Sequence, residues 1–257
     1  MPFDRRDFLE LISAGTVAGV LASPASAQAP GDGPIEAIAF DAFPVFDPRP
    51  VAALAERLFP GKGEALVAAW RTRQFEYQWL RTMGGRFADF VETMEAGLVF
   101  AAKLHRLELT PEKRAALVQS HLALEPWPDA PGALQRLKAA GLRLAFVSNM
   151  TAGMLEGGIR NGKLDGLFEH VLSTDRVRAH KPDPRAYRMG VEAFRLPPER
   201  IAFVTFAGWD TAGARWFGHP TFWVNRLGVP PEELGVAAHG SGRGLAELEA
   251  FVKARNA

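Results

Sequence analysis

An α/β fold with a parallel sheet covered on both faces is predicted by three features of this chain. Short apolar runs recur at 35–40, 142–147, 170–173, 201–205 and 221–225, with helix-length stretches between them. Strands that alternate with helices in this way form parallel sheets, because each crossover carries a helix back over the sheet. Strand signals vanish from 51 to 124, where apolar residues fall at helical spacing instead. The ends of successive runs also present polar groups: Asp41, Ser148-Asn149, His180-Lys181 and Asp210.

The run at 35–40 closes on Asp41 and reads as a buried strand that delivers an acid to the carboxyl edge of the sheet. Helices are expected at 51–58, 63–81, 87–104 and 111–122, forming an insertion that would lie over that edge and enclose a site. Further helices are expected at 130–140, 154–160, 184–194 and 210–217, with Gly141 and Pro197-Pro198 as punctuation. The predicted organisation is therefore a core of 35–50 and 125–257 with a helical cap of 51–124.

The first residues read as an export signal. Arg5 and Arg6 precede an apolar run at 11–22, and Ala25-Ser26-Ala27 forms a small-residue cleavage site. The run is shorter than the ~20 residues that a spanning helix needs, so no stable membrane anchor is expected after processing. The paired arginines point to the twin-arginine route, cleavage is expected after Ala27, and 28–34 reads as a linker; the mature protein would be periplasmic or otherwise exported. The chain has no cysteine, which excludes disulfides and thiol nucleophiles. A formal charge of +1 supplies no field to gather nucleic acid or anionic membrane.

Convergence at one sheet edge brings two carboxylates, Asp41 and Asp210, to the ammonium of Lys181. That set suits an aspartate nucleophile kept ionised by a cation, with a second acid to handle water. Each polar group taken alone reads equally well as a helix cap, but four together read as a site. His180 reads as a solvated or capping histidine. The aromatic residues Trp70, Tyr77 and Trp79 recur along one helix and are expected to pack the cap against the core.

The series Ala39-Phe40-Asp41, Phe59-Pro60-Gly61-Lys62-Gly63, Trp70-Arg71, Gln74 through Arg81, Ser148-Asn149, Lys181-Pro182-Asp183 with Tyr187, Trp209-Asp210 with Gly213-Ala214-Arg215, and Asn225-Arg226 resembles the haloacid dehalogenase superfamily, in its (S)-2-haloacid dehalogenase branch. The resemblance implies a Rossmann-like core with a helical cap, no cofactor and no metal. It implies conversion of a short 2-haloacid to the 2-hydroxyacid, with halide as the other product and a homodimer formed through the cap. In its terms Asp41 attacks carbon two and forms an ester. Asp210 then activates water, Lys181 holds Asp41 ionised, and Tyr187 steadies Lys181 and the acids. Arg71, assisted by Asn149, meets the halide, and Ser148 binds the substrate carboxylate. Phe43, Phe75, Phe90 and Trp209 line the apolar pocket.

This chain departs from the family pattern in three places. Its first loop, Asp41-Ala42-Phe43-Pro44-Val45-Phe46-Asp47, is one residue shorter, lacks the family's threonine, and loses a backbone donor at Pro44. The fourth loop reads Thr205-Phe206-Ala207, so Thr205 replaces one hydroxyl while Ala207 carries no amide to arrange water. Met150 stands where a glycine is expected after Asn149. The alternative reading is an exported binding protein for a small carboxylate or halide that keeps the fold without turnover. A magnesium-dependent phosphatase is a poorer reading, since Phe43 occupies the place of the acid that a hard cation requires.

Overall fold

The computed structural model describes residues 33–257. The export signal expected at 1–27, and most of the linker after it, lie outside the described residues. A six-stranded parallel sheet forms the centre. Its strands are β1 (Ala37–Phe40), β2 (Arg143–Ser148), β3 (His170–Ser173), β4 (Ile201–Thr205), β5 (Thr221–Val224) and β6 (Gly240–Gly242), in the spatial order β3-β2-β1-β4-β5-β6.

Between β1 and β2 run α1 (Arg49–Leu58), α2 (Gly63–Met83), α3 (Phe90–Leu104), α4 (Pro111–Leu122) and α5 (Ala130–Ala139). The remaining helices are α6 (Ala152–Asn161), α7 (Pro184–Phe194), α8 (Gly208–Phe217) and α9 (Leu245–Arg255). The strand order reverses direction at β1, with β2 on one side and β4 on the other. The carboxyl end of β1 is thus the switch point, where chain crossovers diverge and leave a crevice.

Alternation along β1 divides the core. Ile38 and Phe40 face one side with Phe146 and Val204, and that cluster continues through Trp70, Met94, Leu98 and Leu117 of the inserted helices. Ala37 and Ala39 face the other side with Val147, Phe203 and Tyr187. Burial on both faces explains why the strands read as unbroken apolar runs. Phe40, Phe146 and Phe203 are fully buried, and each such side chain contributes roughly 1.5–3 kcal/mol through loss of apolar contact with water.

Local chemistry sets the helix boundaries. The sequence reading began α3 at 87, whereas the helix starts at Phe90 because Asp89 caps it: its side chain accepts from the Glu92 amide at 2.8 Å, and Glu92 returns the bond to the Asp89 amide. Helix α4 opens behind Thr110 with Pro111 in its first turn, and α7 opens in the same way behind Asp183 and Pro184. Two elements went unread. β6 is a Gly-Ser-Gly edge that exists only through its pairing with β5, whereas α9 had a usable signal in Leu245, Leu248 and Val252, all buried. Trp70 and Tyr77 correct the expected cap-to-core packing: Trp70 donates its indole N–H to the Met94 carbonyl at 2.7 Å, and Tyr77 meets Phe100 edge-on, so both fasten α2 to α3.

Asp89→Ala removes the side-chain acceptor of the capping box, while the backbone amide at that position can still donate to Glu92, and is expected to lower unfolding free energy by about 1 kcal/mol. Urea denaturation followed by circular dichroism measures this as a lower midpoint with unchanged slope.

Candidate active site

Four loops at the carboxyl edge of the sheet supply the polar cluster. Asp41 follows β1, Ser148 ends β2, Lys181 lies between β3 and α7, and Asp210 sits in the first turn of α8. The Lys181 ammonium stands 2.9 Å from Asp41 Oδ1 and 2.6 Å from Asp210 Oδ2, with its side chain 1% exposed. A lysine so deeply buried would ordinarily favour its neutral form. Burial does act to lower its pKa, but the negative charges of Asp210 and Asp41 outweigh that effect and hold it raised. Removing the ammonium would leave two buried carboxylates without their cation, which is strongly destabilising.

The two carboxylates have different surroundings. Asp210 is 1% exposed, and burial together with the charge of Asp41 pushes its pKa up to about 6 despite the opposing pull of Lys181. Tyr187 donates its hydroxyl to Asp210 Oδ1 at 2.8 Å, and burial beside that acid raises the phenol well above its usual range. Tyr187 therefore steadies Asp210 rather than Lys181. Gly213, one turn along α8, belongs to this contact, because a Cβ there would collide with the Tyr187 hydroxyl and with Pro182.

Asp41 uses its two oxygens unequally. Oδ1 accepts from Lys181 at 2.9 Å and from the Ser148 hydroxyl at 3.2 Å, while Oδ2 accepts, among the described residues, from the Phe43 amide alone, at 3.2 Å. Oδ2 keeps its remaining lone pairs for an electrophile, and the tethered Oδ1 fixes the plane of the carboxylate. Ser148, expected to meet a substrate carboxylate, here donates to Asp41 and accepts from the Met150 amide at 3.3 Å.

Asn149 is committed to structure. Its Oδ1 accepts from the Lys181 amide at 2.9 Å, and its Nδ2 donates to Gln78 Oε1 at 3.1 Å. Gln78, which sequence reasoning missed as a site residue, is fully buried and donates to Thr93 of α3 at 3.2 Å. It lay inside a matched motif, but nothing in the pattern separated it from its neighbours. Trp79 adds a second link from cap to core by donating to the Lys181 carbonyl at 3.1 Å. His180 forms a third. Far from solvated, it is 1% exposed, stacks on Phe87, donates its amide to Thr82 and places Nε2 2.9 Å from the Ala88 carbonyl.

Aromatic rings cover the cluster. Phe75 and Trp79 of α2 both meet Trp209 edge-on, at 5.2 and 5.4 Å, and Phe43 lies 5.9 Å from Phe206. Phe90 is 2% exposed within the larger core cluster. Arg71 is exposed on α2, one turn before Phe75 on the same face, and makes no hydrogen bond or ion pair among the described residues. Thr205 is fully buried, with its hydroxyl 2.5 Å from that of Thr211, so the hydroxyl is turned towards α8. Among the described residues no group of three or more His, Asp or Glu side chains is arranged to hold a metal ion, and no helix is long and apolar enough to cross a membrane.

A buried acid–lysine–acid cluster beneath inserted helices, at the switch point of a parallel sheet, defines a hydrolase class. The chain belongs to the haloacid dehalogenase-like hydrolases, whose family model matches residues 32–218. It is 37% identical over 216 residues to (S)-2-haloacid dehalogenase H-109 of Pseudomonas putida, spanning 84% of this chain and 96% of that one. It is 38% identical over 202 residues to haloacetate dehalogenase H-2 of Moraxella sp. (strain B), spanning 78% and 90% of the two chains. The L-2-haloacid dehalogenase of Xanthobacter autotrophicus with chloropropionic acid covalently bound superposes with a TM-score of 0.78 at 31% identity, covering 85% of this chain and 98% of that one.

Gln78→Leu strips Asn149 of its acceptor in a buried setting, where an unmet donor costs about 1–3 kcal/mol. Chemical denaturation of that variant is expected to show a loss in this range, and Asn149→Ala a larger one, because it also leaves the buried Lys181 amide without its acceptor.

Proposed function

We propose that this protein hydrolyses a short 2-haloalkanoic acid to the 2-hydroxyacid through an ester on Asp41. The observation that carries the reading is the unequal binding of that carboxylate: Oδ1 is held by Lys181 and Ser148, and Oδ2 is left with a single amide. Oδ2 would bond to carbon two while the halide leaves with the electron pair of its bond. Arg71, on the face of α2 that bears Phe75 and Trp79, would receive it. The aromatic cover excludes water and so strengthens both the nucleophile and the cations around it.

In the ester Oδ1 becomes the carbonyl oxygen. Its two donors, Lys181 and Ser148, then stand where charge develops when water adds to the carbonyl carbon. Asp210 takes one proton from that water. Collapse of the adduct expels the 2-alkoxide, which recovers the proton from Asp210 as the hydroxyacid departs, and Asp41 releases the remaining proton. The relative with covalently bound chloropropionic acid supports a covalent route of this kind.

The reading of a receptor without turnover draws on the fourth loop. Ala207 offers no side-chain donor, and the Thr205 hydroxyl is turned to Thr211, so water delivery rests on Asp210. The proposal also includes export through the segment 1–27 and assembly as a homodimer through the cap.

Halide release from (S)-2-chloropropionate by wild type, and none by Asp41→Asn, is the expected outcome of a direct assay. Release by the Asn variant would remove Asp41 as the nucleophile. Asp210→Asn should accumulate an adduct on Asp41, visible by mass spectrometry, with turnover reduced by about 10²–10⁴-fold. Because Asp210 must be ionised to accept a proton, and its pKa of about 6 is raised in part by the charge that Asp41 loses in the ester, kcat should fall with decreasing pH through an inflection below 6 and level off above it. Sequencing the N-terminus of protein recovered from a periplasmic extract should begin at Gln28.

A further inference from the structure

The shortened loop after Asp41 raises a physical problem. It turns within a few residues, with the Val45 and Phe46 amides both bonding to the Ala42 carbonyl at 3.0 and 2.9 Å. The turn leaves the carbonyls of Phe43, Pro44 and Val45 pointing outward, and Pro44 has no amide with which to brace the loop. The Phe43 amide is nevertheless the donor that reaches Asp41 Oδ2.

Three donors from outside the loop take up those carbonyls. The Trp127 indole N–H reaches the Phe43 oxygen at 3.0 Å, the Trp127 amide reaches the Val45 oxygen at 2.9 Å, and Arg226 Nη2 reaches the Pro44 oxygen at 3.0 Å. Trp127 and Arg226 are themselves locked together. The Arg226 guanidinium lies 4.5 Å from the Trp127 ring centroid and pairs with Asp129 at 3.0 Å, and Arg49 lies 4.4 Å from the same ring. Trp127 is 6% exposed and the Arg226 side chain 8% exposed, so these bonds form where water competes poorly.

We propose that Trp127 and Arg226 are positioning residues for the nucleophile: they grip the backbone of 43–45 and thereby aim the Phe43 amide at Asp41 Oδ2. This rests on the reading of Asp41 as nucleophile. The peptide between Phe43 and Pro44 is held at its oxygen by Trp127. The neighbouring Phe43 amide is consequently held in place, and with it the direction of the free lone pairs on Oδ2. A displacement of about 1 Å in such a group is enough to change rates on the order of 100-fold. Neither side chain is placed to touch substrate, so the effect belongs to turnover and not to affinity.

The experiment compares Trp127→Phe, which keeps a ring between the two guanidinium groups but removes the indole donor, with Arg226→Gln and with Arg49→Gln. Arg49 stacks on the same ring without bonding to the loop. Halide release from (S)-2-chloropropionate should show kcat lowered about tenfold in Trp127→Phe and in Arg226→Gln, with KM within twofold of wild type. Arg49→Gln should keep wild-type kcat. Hydrogen–deuterium exchange on the same proteins should show faster exchange across 41–46 in the first two variants and not in the third.

Unchanged kcat and unchanged exchange in Trp127→Phe would overturn the proposal. So would an equal loss of kcat in Arg49→Gln, which would assign the ring a packing role alone. Should wild type release no halide, the reading of Asp41 as nucleophile fails, and the exchange arm still decides whether Trp127 and Arg226 hold the loop.

Discussion

The buried ammonium of Lys181, shared between Asp41 and Asp210, is the contact on which the rest of the molecule depends. The cation offsets the repulsion of two carboxylates this close, and their negative charges oppose the burial that would otherwise discharge the lysine. The parallel sheet makes the arrangement possible. Strands β1 and β4 pair directly, and their crossovers leave in opposite directions from the sheet, which opens room at their carboxyl ends for groups from several loops. Tyr187 and Gly213 complete the arrangement by fixing Asp210, the acid with the raised pKa, at its other oxygen: Tyr187 bonds to Oδ1 and Lys181 to Oδ2.

The cap is tied to this contact instead of merely lying over it. Gln78, Trp79 and Thr82 of α2 bond to Asn149, Lys181 and His180, so one helix grips the loop that carries the ammonium. Every bond in this set engages a buried polar group that would otherwise lack a partner, which makes opening costly and the closed geometry well defined. Trp209 sits under Phe75 and Trp79 directly beside Asp210, so the packing that seals the site and the chemistry within it share residues. The family's dehalogenases are similar to this chain over most of its length, and the loop after Asp41 shows how distant segments hold the backbone beside the site. Pro44 has no amide to brace that loop, yet its backbone is held by Trp127 and Arg226 from distant parts of the chain.

Much of the fold was legible because periodicity and punctuation are local properties. Strand β4 and helices α4 and α7 begin and end where apolar runs, Thr110-Pro111 and Asp183-Pro184 place them. Strand β6 was not legible, since Gly-Ser-Gly has no strand character until β5 pairs with it. Asp41, Lys181 and Asp210 could be singled out because topology alone brings the carboxyl ends of parallel strands together. Gln78 and Thr211 could not, because a buried amide or hydroxyl looks the same in sequence as an exposed one. His180 misled for the same reason: its partners are carbonyl and hydroxyl groups of the cap, far away along the chain.

By itself the sequence determined the class of fold, the carboxylates and ammonium of the site, and the absence of thiol chemistry, because each follows from residue type and spacing. The tertiary structure alone decided which oxygen of Asp41 is free and whom Tyr187 and Ser148 serve. It also decided how the loop after Asp41 is held, through residues 84 and 182 positions away in the chain. Such facts depend on hydrogen-bond direction and distance between segments remote in sequence, and no local pattern encodes those.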